Sequence, residues 1–278
     1  MSRFVHGGQI NANGIRQHYL RYGGAGEPLV LAPGITSPAI TWGFVAEALA
    51  QHHDVHVLDV RGRGLSESGP HLGYDLDSYA ADVAAFAEAM GFAAYDLVGH
   101  SMGARIGIRL ARNAPQRLRR LVLIDPPATG PGRRPYPAPL SWYVDSIRIC
   151  RAGADWRALL PFSPSWTEAQ LRLRAEWLHS CDEQAVVETY ERFHSEDIFG
   201  DLPWIRVPAL LMVAGNGVID EAECAAFAAG APAMRIVTVP GAGHMIPWDD
   251  EPGFFAAFGD FLDGQFTPYA PSVGKDRA

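Results

Sequence analysis

Apolar positions along this chain follow two rhythms. Short, nearly continuous apolar runs stand at 28–33 (PLVLAP), 54–60 (DVHVLDV), 94–100 (AYDLVGH), 120–127 (RLVLIDPP), 207–215 (VPALLMVAG) and 235–244 (RIVTVPGAGH). They have strand length, and their lack of alternation suits strands covered on both faces. Between and after them, helical patterns predict helices near 40–50, 77–90, 102–113 and 252–263. Upstream, GGQI and IRQHYLRY flank Asn13-Gly14, a hairpin signal. Strand and helix in alternation read as a largely parallel sheet with helical crossovers, an α/β class.

The rhythm breaks once. ATGPGRRPYPAP (128–139) is rich in proline and glycine and reads as an irregular loop. Residues 140 to about 200 then read as helical and carry Trp142, Tyr143, Trp156, Trp166 and Trp177. Ser165 with Glu168, and Ser180 with Glu183, have capping-box spacing and mark two helix starts. Helices placed between two sheet strands predict a cap, giving a core of 1–127 and 206–264 and a cap of 128–205. Residues 265–278 read as a flexible tail. Ligands of open α/β sheets bind outside the carboxyl ends of the strands, which is where such a cap would sit.

Composition narrows the function classes. With 23 basic and 31 acidic residues the net charge is −8, so no basic footprint for nucleic acid is present. No apolar run reaches the ~18 residues of a membrane span. The first residues lack a signal-peptide layout, and three widely spaced cysteines form no disulfide framework, so a cytoplasmic setting is expected. His52, His53 and His56 form the densest histidine cluster but lack zinc-site spacing. They read as a solvated turn, and no metal is expected.

The chemistry concentrates around GHSMG at 99–103, a G-x-S-x-G between a predicted strand and a predicted helix. That context is the nucleophile elbow: a turn so sharp that only glycine fits beside it, holding Ser101 exposed above the sheet. A serine hydroxyl needs a base, and His244, in a Gly-rich turn after the last strand, can reach over the sheet edge. His100 is a poor base because neighbouring side chains on a turn point apart. The acid that orients the imidazole is either Asp125, directly at the end of LVLID, or Asp220, six positions beyond its strand. Asp125 is preferred and Asp220 held in reserve. An oxyanion hole needs two backbone donors, here the N–H of Met102 and that of Ile35 in PGITS. Arg61 and Arg63 read as structural hydrogen-bond donors.

The stretches APGITSPAITW, LDVRGRGLSESG, VGHSMGARIG, LVLIDPP and GAGHMIPWDDEPGFFAAFGDFL resemble the α/β-hydrolase superfamily along nearly the whole chain. The resemblance implies a mostly parallel eight-stranded sheet flanked by helices, with a helical cap after strand six. Two positions depart from it. Pro33-Gly34 replaces the usual His-Gly of the oxyanion loop, and Gly215-Asn216-Gly217-Val218 replaces the acid-bearing segment after strand seven. The second departure favours Asp125 as the triad acid.

Further stretches, among them PGITSPAITWGFVAE, GPGRRPYP, WYVDSIR, LRAEWLH and GHMIPWDD, resemble the branch of this superfamily that deformylates N-formyl amides. That resemblance implies a Ser101–Asp125–His244 triad, a formyl-enzyme, no cofactor, and a small carboxylate-bearing substrate. A cation or several N–H donors should then face the pocket; Arg148, with Tyr143 near the same helix face, is the candidate. An esterase, lactonase or C–C bond hydrolase on the same machinery remains open, as does a non-catalytic small-molecule receptor on a hydrolase scaffold. Sequence does not decide the oligomeric state.

Overall fold

The computed structural model describes residues 2–268. Eight strands, β1 (Phe4–Ala12), β2 (Ile15–Tyr22), β3 (Pro28–Ala32), β4 (Asp54–Leu58), β5 (Tyr95–His100), β6 (Leu118–Ile124), β7 (Ala209–Asn216) and β8 (Arg235–Gly243), form one sheet. Its order is β1-β2-β4-β3-β5-β6-β7-β8. The β1–β2 hairpin turns at Asn13-Gly14, and β2 lies antiparallel to β4. From β4 to β8 every pairing is parallel.

The continuous apolar runs are explained by burial on both sheet faces. Val30, Leu97, Leu121, Leu123 and Leu211 pack into one core with α2 (Leu76–Ala89) and α3 (Met102–Asn113). Their immediate neighbours Leu29, Leu31, Val98, Val122 and Leu210 point the other way, into a second core with α1 (Gly43–Leu49) and the C-terminal helices. Successive side chains of a strand alternate faces, so a strand covered twice has no polar position to spare.

Between β6 and β7 the chain leaves the sheet and builds α4 (Leu140–Arg151), α5 (Glu168–Trp177) and α6 (Glu183–Ser195), joined by short 3₁₀ turns. The chain then runs through β7, α7 (Glu221–Gly230) and β8 to α8 (Ile246–Asp249) and α9 (Glu251–Phe258). No helix among the described residues is long and apolar enough to cross a membrane.

Four local expectations need correction. The two cap-helix starts lie two residues later than their serines: Thr167 pairs with Gln170 in a capping box, and Asp182 accepts from the Ala185 N–H. Ser180 is unavailable because its hydroxyl donates to the Trp177 carbonyl at 2.6 Å. Helix α7 was not expected, although Asp220 and Glu223 form a capping box at its start. Its apolar positions are mainly alanine, and only Phe227 and Glu223 are buried. His53 and His56 are buried rather than solvated, His56 on β4 against Phe92 and His53 against Phe266. That second contact also anchors the start of the expected tail: Phe266 is buried in the second core, and the Gln51 side chain donates to the Thr267 carbonyl. The remainder of that tail, 269–278, lies outside the described residues.

Candidate active site

The carboxyl ends of β3, β5, β6, β7 and β8 meet at one edge of the sheet, and the elbow stands in its middle. Ser101 adopts φ 54°, ψ −114°, a backbone state a side chain tolerates only under constraint. The constraint is the close passage of strand, turn and helix. A Cβ on Gly99 would stand 2.2 Å from the Gly103 carbonyl oxygen, and one on Gly103 would stand 1.8 Å from that of Ala32. Both glycines are therefore steric requirements of the elbow.

His244 Nδ1 donates to Asp125 Oδ2 at 2.8 Å, and His244 Nε2 lies 3.0 Å from Ser101 Oγ. With the first nitrogen protonated toward a carboxylate, the second presents its lone pair to the serine hydroxyl. Asp125 is fully buried, at φ 42° immediately after β6. Besides His244 it accepts N–H bonds from Ala214 at 3.3 Å and Val218 at 3.0 Å. The segment after β7 that lacks an acid therefore serves as the acid's cradle. Asp220 lies elsewhere: it caps α7, accepting from the Glu223 N–H at 2.8 Å, and pairs with Arg134. It takes no part in orienting His244.

His100 makes a contact that sequence did not assign, and Arg63 has the structural hydrogen-bonding role expected of it. His100 Nε2 donates to the His244 carbonyl at 3.0 Å and ties down the loop that carries the base. Burial, reinforced by the nearby His244 ring, pushes the His100 pKa down to about 3, so it stays neutral. Arg63 Nε donates to the Ile35 carbonyl at 2.9 Å and its other nitrogens reach Tyr79 and Thr189. This fully buried guanidinium, one of the two arginines of RGRG, braces the loop that carries Ile35. Arg61 is structural, paired with Asp82.

Ile35 borders the cavity above Ser101, and Met102 is the first residue of α3. Neither N–H donates to a backbone carbonyl outside regular structure among the described residues. A helix N-terminus leaves such donors free for developing negative charge.

The cavity measures about 240 Å³ and is roofed by the segment between β6 and β7. It lies below the ~300–1,000 Å³ of drug-sized ligand sites and suits a small molecule. Tyr136, from the Pro/Gly-rich loop, places its hydroxyl 3.4 Å from His244 Nε2, and Tyr143 donates to that hydroxyl at 3.1 Å. Burial holds the Tyr136 pKa well above that of free tyrosine and moves Tyr143 up to about 12, so both remain protonated donors. Tyr143 thus reaches the pocket, but Arg148 does not. Its side chain is 62% exposed and paired with Glu183 on the outer face of the helices. At 3.6 residues per turn, five positions carry Arg148 about 140° around the helix from Tyr143, so Tyr143 points inward and Arg148 to solvent. The cation that does line the pocket is Arg174 of α5, hidden from sequence by its place in an ordinary-looking charged helix.

A serine held in an elbow, a histidine against its hydroxyl and a buried aspartate behind the histidine define a serine hydrolase on an α/β sheet. The chain belongs to the alpha/beta hydrolase family, whose model matches residues 29–258. Over 264 residues it is 59% identical to the N-formylmaleamate deformylase of Pseudomonas putida, covering 95% of this chain and 98% of that protein. A crystal structure of an N-formylmaleamic acid deformylase from Pseudomonas putida, determined as a serine-to-alanine variant, matches with a TM-score of 0.87 at 50% identity. That match covers 91% of this chain and 99% of the other. The structure of an E-2-(acetamidomethylene)succinate hydrolase matches with a TM-score of 0.78 over 94% of this chain and all of that one. At 22% identity it shares the fold.

Proposed function

We propose that the protein hydrolyses N-formylmaleamate to maleamate and formate, with Ser101, His244 and Asp125 as its triad. The similarity to the Pseudomonas putida deformylase over 95% of the chain supports the substrate, since it extends across the roof of the pocket. The observation that carries the mechanism is the line from Ser101 Oγ through His244, at 3.0 Å, to Asp125, at 2.8 Å.

His244 Nε2 takes the proton from Ser101 as Oγ bonds to the formyl carbon. The carbonyl oxygen becomes an oxyanion facing the N–H groups of Ile35 and Met102, and Asp125 stabilises the imidazolium. Collapse breaks the C–N bond, and His244 returns the proton to nitrogen, releasing maleamate. The departing nitrogen is attached to a second carbonyl, which delocalises its charge and makes it a better leaving group than an amine. Water then attacks the formyl ester as His244 removes its proton. Formate leaves as the proton returns to Ser101 Oγ. The Tyr136 hydroxyl, beside His244 Nε2, adds a neutral donor on the side where nitrogen leaves and water enters.

A cytoplasmic setting accords with three cysteines that all remain free thiols. Formate release from N-formylmaleamate tests this reading directly. Purified protein should release one formate per maleamate, and Ser101→Ala should lower the rate by about 10⁴-fold or more. Ester hydrolysis without any action on N-formylmaleamate would defeat the deformylase assignment. Unimpaired turnover by Ser101→Ala would defeat the mechanism.

A further inference from the structure

The guanidinium of Arg174 is buried, 5% exposed, and borders the cavity that holds Ser101. It stands between two indoles, 5.8 Å from the Trp142 ring centroid and 5.6 Å from that of Trp166. Its hydrogen bonds are few and long: to the Thr36 carbonyl at 3.4 Å and to Thr36 Oγ1 at 3.2 Å. Nε has no partner among the described residues. A guanidinium has five N–H donors, so most of its capacity is unspent.

The other fully buried arginines are satisfied. Arg105 donates to the carbonyls of Pro127, Thr129 and Glu196, and Arg63 to carbonyl and hydroxyl oxygens. No carboxylate among the described residues pairs with Arg174; burial lowers its pKa below that of free arginine, opposed only by Cys181, Cys150 and Tyr143. Asp249 also borders the cavity, but its oxygens accept from the Gly243 N–H at 3.1 Å and from Ser165 at 3.4 Å. A buried charge without a partner is costly, and an arriving anion offsets that cost.

We infer that Arg174, clamped between Trp142 and Trp166, is the carboxylate-binding site of the substrate pocket and sets its selectivity for small monoanionic acyl amides. The inference rests on the hydrolase reading of the same cavity. The planar fork of arginine suits a carboxylate taken by two N–H groups. Thr36, which touches the guanidinium, directly follows Ile35, whose N–H faces the oxyanion. Adjacent Cα atoms are ~3.8 Å apart, so the group at Arg174 and the carbonyl at Ile35 are set by neighbouring positions of one loop, a spacing that suits a small substrate.

Calorimetry on Ser101→Ala protein, which binds without turning over, separates the two readings. The probes are maleamate and the neutral diamide maleamide, alike in shape and different in charge. Ser101→Ala protein should bind maleamate at least about tenfold more tightly than maleamide. Adding Arg174→Met should weaken maleamate binding by about 100-fold and erase that preference, and Arg174→Lys should restore part of it. Equal binding of the two probes by Ser101→Ala protein overturns the inference, and that comparison needs no substitution at Arg174. A carboxylate preference unchanged in folded Arg174→Met protein overturns it too. Formate release with no carboxylate preference would keep the deformylase and remove this site. Arg174-dependent maleamate binding without formate release would do the reverse.

Discussion

Gly217 and Asp125 lie so close that a methyl group on the glycine would stand 2.4 Å from Asp125 Oδ2. Gly217 lies in the segment that replaces the family's usual acid-bearing stretch, and its missing side chain leaves room for a carboxylate from the neighbouring strand, which Ala214 and Val218 hold by their N–H groups.

Gly217→Ala should therefore damage catalysis without touching any reacting group. The added methyl must push Asp125 away from His244, and misplacement of that kind costs on the order of 10–100-fold in kcat. The expected result is a folded protein, by circular dichroism, with lowered kcat and little change in KM. A fully active variant would show that the carboxylate does not need its present position.

Substitutions at the two acids distinguish their roles. Asp125→Asn should lower kcat by about 10³–10⁴-fold, because an amide facing His244 Nδ1 no longer enforces the tautomer that accepts from serine. Asp220→Asn should stay within about twofold of the parent, since asparagine caps a helix nearly as well as aspartate. Steady-state formate release decides it. The reverse ranking would transfer the acid to Asp220.

Tyr136 donates where the leaving nitrogen must be protonated, so its importance should depend on the leaving group. Tyr136→Phe removes a hydrogen bond to developing charge, an effect of about 10–100-fold on the N-formyl amide. p-Nitrophenolate departs without a proton, so p-nitrophenyl acetate hydrolysis should suffer less. Equal losses on both substrates would confine Tyr136 to packing.

His100 makes a stability prediction with a definite sign. Its pKa is about 3 when folded, against ~6.5 for free histidine, so between those values the unfolded chain binds the extra proton. Its contribution is complete above pH ~6.5 and is lost as pH falls toward 3. Between pH 7 and pH 4.5 that loss is about 2–3 kcal/mol. His100→Gln keeps a donor for the His244 carbonyl but cannot titrate. Urea unfolding at the two pH values should show a smaller difference for the variant than for the parent. An identical difference would mean that His100 does not titrate across this range.

Much of the fold was legible because it depends on local period. The apolar runs at 28–33, 94–100, 120–127 and 207–215 became β3, β5, β6 and β7, since burial on both faces leaves no polar alternation to misread. Helix α7 was missed because alanine-rich turns with one buried phenylalanine carry almost no periodic signal, although Asp220 and Glu223 mark its start with capping-box spacing. The cap-helix starts moved by two residues for a related reason. A capping motif can be written in sequence twice within three positions, at Ser165 and at Thr167, and only packing selects which is used.

The site divides along the same line. Ser101 could be read from its glycines, because an elbow imposes steric demands on its immediate neighbours, and His244 from its place after the last strand. Its place at the end of its strand favours Asp125 over Asp220, and the structure sets it against His244, whereas sequence points to Arg148 as the cation and not to Arg174. Those choices depend on which way a side chain faces once helices and strands have packed, and on which charges find partners at that moment. Arg148 met Glu183 at the surface, and Arg174 was folded into the pocket, where no carboxylate among the described residues pairs with it. Sequence determined the sheet, the elbow at Ser101 and a preference for Asp125; tertiary structure decided which side chains face that elbow, setting Asp125 against His244 and turning Arg174 rather than Arg148 into the pocket, because burial and pairing exist only between distant parts of the chain.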